Sequence, residues 1–265
     1  MPTASCNGVE LHHEVHGEGP PLICVHGLGA DLREWQPNVA AFAARHRTVV
    51  LDNRDVGRSS YVEQPYEVDD LAADVLALAD QLGIERFHLL GASLGGAIAQ
   101  QLALRAPERV RTLTIAVSWA GGGRWWRARG RALWRAVPQM TAEEIADQLL
   151  MLTLSAAAYE DDERRAAELA RLLEHPDPQR PEGFWRQARA ANRHDVRARL
   201  GELTMPVHVI GAEQDAMVPV WMSREIAALI PGAELTVVDG AAHGLNRERA
   251  AEFNPLVLRF LREAG

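Results

Sequence analysis

Gly91-Ala92-Ser93-Leu94-Gly95-Gly96 follows the apolar run Phe87–Leu90 and precedes a helical pattern, so Ser93 falls on a sharp strand-to-helix turn. Gly91 and Gly95 supply small neighbours where strand and helix must approach closely, and the helix N-terminus favours developing negative charge. A serine hydroxyl is too weakly acidic to attack a carbonyl unaided. It needs a histidine base, and the histidine needs an orienting carboxylate. Asp215 stands in Gly211-Ala212-Glu213-Gln214-Asp215, after an apolar run ending at Ile210, and His243 in Asp239-Gly240-Ala241-Ala242-His243-Gly244, after one ending at Val238. Both lie just past the carboxyl ends of expected strands, where open parallel sheets gather their sites. Glu213 and Asp239 are rival candidates for the acid. Acyl transfer through Ser93 also needs two donors for an oxyanion. The Leu94 N–H, directly after the serine, is one candidate, and the Leu28 N–H in Val25-His26-Gly27-Leu28-Gly29 is the other.

Composition narrows the alternatives. All 28 basic residues among the 265 are arginine, which removes Schiff-base, serine-lysine and P-loop chemistry, each of which needs an ammonium group. A net charge of −8 and 47% hydrophobic residues point to a globular protein and away from polybasic nucleic-acid binders. Cys6 and Cys24 are the two cysteines, too few for a disulfide framework or a thiolate zinc site. With no basic-then-apolar leader and no run of about 18 apolar residues, the expected setting is the cytoplasm, without membrane or nucleic-acid partners.

The elements that must position these groups alternate between short β-rich runs and helical stretches, the pattern of a parallel sheet covered on both faces. Strands are expected at Val9–His16, Leu22–Val25, Thr48–Leu51, Phe87–Leu90, Val110–Val117, Val207–Ile210 and Leu235–Val238. Val68, Leu71, Val75, Leu78 and Leu82 form one apolar helical stripe. Asn254-Pro255 reads as a cap and first helical position of a final helix through Leu261. Between about Trp119 and Leu200 the alternation breaks into helical patterns without a convincing strand. Within it, residues 124 to 199 carry 14 Arg and 12 acids, a mixed surface of solvated helix faces. The expected fold is α/β, a mostly parallel doubly wound sheet with a core of residues 1–120 and 200–265 and an inserted helical segment at 121–199.

Taken together, His26-Gly27-Leu28-Gly29, Asp52-Asn53-Arg54-Asp55-Val56-Gly57-Arg58-Ser59, Gly91 to Gly96, Asp215 to Pro219 and His243-Gly244 resemble the α/β-hydrolase-fold enzymes. The nearest likeness is to small capped esterases and lactonases, including polyketide methyl esterases and enol-lactone hydrolases. The resemblance implies Ser93 as nucleophile, His243 as base, Asp215 as orienting acid and the 121–199 insertion as a cap over the site. It implies no cofactor and a small-molecule ester or lactone as partner. Related capped hydrolases that cleave carbon-carbon bonds or perform perhydrolysis use the same triad, and some proteins of the fold bind ligands without turnover. Many relatives carry glycine where this chain has Asp55.

Trp119, Trp125, Trp126 and Trp134 crowd the start of the insertion. They either pack its own core or line an apolar substrate pocket; Met140, Met151 and Leu152 could serve either purpose. His12, His13 and His16 cluster early, but strand alternation sends His13 to the opposite face, so no metal site is expected. Arg54, Asp55 and Arg58 read as a structural ion-pair network.

Overall fold

Leu22, Ile23, Cys24 and Val25 are all inaccessible to solvent, which requires cover on both faces of the strand they form. In the computed structural model, which describes residues 2–264, that strand is β3 (Pro21–Val25), preceded by β1 (Thr3–Cys6) and β2 (Val9–His16). There follow β4 (Arg47–Leu51), β5 (Phe87–Ala92), β6 (Val110–Ala116), β7 (Val207–Ala212) and β8 (Glu234–Val238). Among the described residues these eight strands form one sheet in the order β1-β2-β4-β3-β5-β6-β7-β8. β1 pairs antiparallel with β2 and β2 antiparallel with β4, and the remaining pairings are parallel.

Helices cover both faces. Outside the insertion they are α1 (Gln36–Ala43), α2 (Val68–Gln81) and α3 (Leu94–Arg105) in the first part of the chain. The inserted segment supplies α4 (Gly123–Trp134), α5 (Ala142–Thr153), α6 (Ala156–Tyr159), α7 (Asp162–Leu173) and α8 (Pro181–Arg193). The chain closes with α9 (Val220–Leu229), α10 (Leu245–Glu248) and α11 (Ala250–Ala264). One core cluster joins Ile23, Val49, Leu89 and Val209 to Leu71, Val75, Ile98 and Ile226 of α2, α3 and α9. The other joins Leu22, Val50, Leu90 and Ile210 to Phe42, Phe253 and Val257 of α1 and α11. Successive strand residues feed opposite clusters, as the two-residue period dictates.

Two local features differ from the sequence expectation. β1 was not expected, because Thr3–Cys6 is short and carries little apolar content. It is folded back by Asn7 and Gly8, both at positive φ (50° and 79°), the pair of left-handed residues that a two-residue hairpin turn demands. α11 begins at Ala250, so Pro255 lies inside the helix rather than at its start. Asn254 does not cap it. Its side chain instead accepts a 2.7 Å hydrogen bond from Asn38, while Phe253, one residue earlier, packs against Trp35. Tertiary packing extends the helix ahead of a proline that local propensity would place first.

The inserted helices leave and rejoin the sheet at one narrow neck. Gly121 and Asp195 form an isolated antiparallel bridge, and the Val196 N–H donates to the Ala120 carbonyl at 2.8 Å. Asp55 ties this segment down. It is fully buried at φ 66°, a conformation natural to glycine and tolerated by aspartate. There it receives both arms of the Arg186 guanidinium from α8 at 2.8 and 3.0 Å. Its carbonyl accepts from Gln179, and the carbonyl of Arg54 accepts from the buried Gln187. Arg54 itself forks onto Asp74 through two 2.6 Å bonds. Position 55 is thus an anchor for the inserted helices.

Replacing Arg186 by alanine strands a buried carboxylate, and urea denaturation is expected to show a loss of about 3 kcal/mol or more of stability. An unchanged midpoint would mean that the remaining neighbours of the carboxylate, among them the Val62 N–H, suffice.

Acid should also unfold the protein early. Burial pushes His88 and His194 down to about 4 from 6.5, and lowers His208 in the same direction. Between about pH 6.5 and 4 the unfolded chain therefore binds more protons than the native one, so stability is full above that window and falls on acidification through it. Asp52, raised to about 6 by burial, and Asp74, raised by burial against its Arg54 pair, oppose this, while His12, His26 and His46, also lowered by burial, add to it. Urea midpoints recorded from pH 7 to 4.5 should decline; a flat series would refute the balance.

Candidate active site

Ser93 sits between β5 and α3 with φ 56°, a left-handed backbone that a residue with a side chain adopts only when its surroundings hold it there. They do so closely. A Cβ on Gly91 would lie 2.1 Å from the Gly95 carbonyl oxygen, and one on Gly95 would lie 2.0 Å from that of Val25. The Ser93 N–H donates to the Ala116 carbonyl at 3.0 Å, and its own carbonyl accepts from Ser118 Oγ at 2.8 Å. Val117, the next residue after β6, is also strained at φ 45°. The chain turns there toward the inserted helices.

Asp215 follows β7 and His243 follows β8. His243 Nδ1 lies 2.8 Å from Asp215 Oδ2, and His243 Nε2 lies 3.0 Å from Ser93 Oγ. Facing a carboxylate, Nδ1 is the donor, which leaves Nε2 to accept from the serine hydroxyl. The other carboxylate oxygen, Asp215 Oδ1, accepts from the N–H groups of Met217 at 2.9 Å and Val218 at 2.6 Å. The rival acids are engaged elsewhere or turned outward. Glu213 accepts from the Gly240 N–H at 2.8 Å, and Asp239 is exposed.

Leu94 is the first residue of α3, where a backbone N–H has no partner within the helix. Leu28 lies on the facing turn and lines the same cavity as Ser93. That turn is drawn tight, since a Cβ on Gly27 would come within 2.9 Å of Ser93 Cβ. The Gly27 N–H donates to His26 Nδ1 at 2.7 Å. Desolvation pushes His26 down to about 4, so beside His243 it is a neutral ring.

The cavity over Ser93 has a volume of about 220 Å³ and is enclosed by strand-end loops below and inserted helices above. Trp119, Trp126 and Trp134 line it, with Leu133 and Phe184. Trp119 and Trp126 are in ring contact at 4.9 Å. Trp125 does not share this wall. It is half-exposed and packs edge-on against Trp221, because its place one residue before Trp126 on α4 turns it to another side of the helix. Met151 is exposed and neither it, Met140 nor Leu152 reaches the cavity.

One part of the lining is charged and was not anticipated from the sequence. Arg171 bonds Glu34 at 2.6 Å and Glu168 at 2.7 Å, and Arg247 approaches the same two acids at 3.5 and 3.4 Å. Burial alone would raise Glu168, but the two arginines hold it below the usual carboxylate range. These four residues lie far apart in the chain, and only Glu168 and Arg171 have the three-residue helical spacing that could have signalled a pair. Among the described residues no three His, Cys, Asp or Glu side chains converge as metal ligands, and no helix is long and apolar enough to cross a membrane.

The parallel sheet, with a glycine-framed serine at the strand-to-helix turn and a cavity above its strand ends, defines the class as a hydrolase built on an α/β fold. The chain belongs to the family described as alpha/beta hydrolase fold, which it matches over residues 20–250. It is 32% identical over 273 residues to a protein of Azorhizobium caulinodans whose name gives it as a candidate carbamate hydrolase, RutD, with 99% of both chains covered. Among solved structures it is similar to the enol-lactonase from Burkholderia xenovorans, at TM-score 0.88 and 30% identity over 98% of this chain and 100% of that one. It is also similar to Est816, described as an N-acyl homoserine lactone degrading enzyme, at TM-score 0.85 and 28% identity, over 98% and 100% of the two chains.

Gly95→Ala tests the close approach at the serine turn. The added carbon meets backbone, which has no rotamer to escape into, so a stability loss of at least about 2 kcal/mol is expected in thermal or urea unfolding. A variant as stable as the parent would show that α3 can shift away from β3.

Proposed function

We propose that the protein is a cofactor-independent serine hydrolase acting on a carboxylic ester or lactone of a small, largely apolar molecule. The observation that carries this reading is the continuous hydrogen-bonded line from Asp215 through His243 to Ser93 at 2.8 and 3.0 Å. In the proposed reaction His243 Nε2 takes the Ser93 proton as Oγ attacks the carbonyl, and the N–H groups of Leu28 and Leu94 receive the oxyanion. The bond from the carbonyl carbon to the ester oxygen then breaks as that oxygen takes the proton from His243, giving an acyl-enzyme and either a free alcohol, from an ester, or a hydroxyl still tethered to the acyl chain, from a lactone. Water then enters, His243 removes its proton, and the acid is released with Ser93 restored.

Trp119, Trp126 and Trp134 would hold the apolar part of the substrate under a cap formed by residues 121–199, with the buried Asp55–Arg186 pair as its anchor. The similarity to proteins named for enol-lactone and homoserine-lactone chemistry supports a lactone, and the relative named for a carbamate adds that group to the candidates. We place the activity in the cytoplasm, where the free, buried Cys6 and Cys24 fit a reducing compartment.

The test is turnover of an aryl ester, a lactone and a carbamate of matched size by the wild type and Ser93→Ala. The wild type is expected to hydrolyse at least one of them, and the variant to lose about a thousandfold or more in kcat. Equal turnover by the variant would reject Ser93 as nucleophile. Tight binding of all three without conversion would favour a ligand-binding role.

A further inference from the structure

We infer that Arg129, on the inserted helix α4, is a positioning residue for Asp215, so that seating of the inserted helices sets the orientation of the proposed triad. The inference rests on the hydrolase reading above. Arg129 reaches from α4 to the loop after β7, where one guanidinium nitrogen donates to the Met217 carbonyl at 2.7 Å and another to the Ala216 carbonyl. Those two carbonyls belong to the two peptide units whose N–H groups, on Met217 and Val218, donate to Asp215 Oδ1. A peptide unit is planar and trans, so fixing the direction of its C=O fixes the direction of its N–H.

Each of the two units is therefore gripped at both ends, by Arg129 on the oxygen side and by the carboxylate on the nitrogen side. The positive charge also polarises both amides, which makes them better donors to the carboxylate. From there the line runs through Asp215 Oδ2 to His243 and on to Ser93. Arg129 closes it from the opposite domain face, across 87 and 88 residues of chain.

The residue type suits the task. A guanidinium presents its donors in a rigid planar fork and spans two adjacent carbonyls, whereas an ammonium is a point charge on a flexible stem. Arg129 is further restrained by the rings of Trp125 and Trp126, 5.8 and 6.0 Å from its central carbon. This gives the half-exposed Trp125 a place beside the clamp in place of one on the cavity wall. Burial lowers the Arg129 pKa while the nearby Asp215 raises it; the group keeps its charge, as arginine does in proteins.

The experiment compares wild type, Arg129→Ala and Arg129→Lys in kcat, KM and melting temperature, with and without millimolar guanidinium ion. In parallel, proton NMR follows the low-field resonance of the His243 Nδ1–H shared with Asp215. For Arg129→Ala, kcat should fall about tenfold to a hundredfold, with KM changing less than about threefold. Added guanidinium should restore part of kcat in that variant alone, Arg129→Lys should fall between, and the low-field resonance should broaden in Arg129→Ala and sharpen on rescue. An unchanged kcat, a rise in KM at constant kcat, or a lowered melting temperature with no rescue would each overturn the inference. A wild type that turns over no ester, lactone or carbamate, yet whose low-field resonance responds to Arg129→Ala in this way, would remove the hydrolase reading and support the positioning role.

Discussion

The close approach of three backbone segments at Ser93 is the constraint on which the rest of the molecule depends. β3, β5 and the first turn of α3 meet there with no room for a Cβ on Gly91 or Gly95, and the serine is held at a positive φ. Such a turn is unfavourable on its own and persists only when its surroundings over-determine it. The surroundings are the two core clusters, one on each face of the sheet, which lock β5 between β3 and β6 and press α3 onto the strands. Burial on both faces is thus what allows a strained turn to present a hydroxyl at the strand ends.

A second level of order comes from the inserted helices, which bind the loops of the site as well as covering them. The Gly244 N–H, next to His243, donates to the Thr153 carbonyl of α5 at 2.7 Å. Glu248 on α10 accepts from the backbone and side chain of Ser155 at 2.8 and 2.5 Å. Arg129 grips the loop of Asp215, and Arg186 grips Asp55. The chain has no lysine, so every one of these cationic contacts is made by a planar fork. That matters at Asp55, at Asp74 and on the paired carbonyls after Asp215, where two acceptors lie side by side and a point charge would satisfy one geometry less well.

Much of this arrangement is legible in the sequence because it is written in local chemistry. Parallel strands buried on both faces are mostly apolar, so β3 to β7 stand out despite the buried His88 and His208, and the glycines around Ser93 announce the turn. The order of Asp215 and His243 after their strands follows from topology. What could not be read depends on contacts between distant residues. Asp55 is recognisable as a departure from glycine, but its partner Arg186 lies 131 positions on. The ring of Glu34, Glu168, Arg171 and Arg247 is assembled from three separate elements. Trp125 and Trp126 are chemically alike, and a rotation of one residue along α4 sends one into the cavity and the other outward. The start of α11 differs from the local signal for the same reason, since Phe253 and Asn254 answer to Trp35 and Asn38 on the same face of the sheet and not to the proline beside them.

These levels connect in one direction. Ser93 is fixed by the sheet itself, through backbone that no movement of the inserted helices needs to disturb. Asp215 and His243 stand on loops, and each loop is hydrogen-bonded to the inserted segment, the first twice through Arg129 and the second at the Thr153 carbonyl. A rigid serine and two partners held partly from above divide the work unequally. The sheet sets where the hydroxyl stands, whereas the seating of the helices governs whether the acid and the imidazole are aligned with it. The same helices enclose the cavity, so enclosure of a molecule over Ser93 and alignment of the groups beside it depend on one set of contacts.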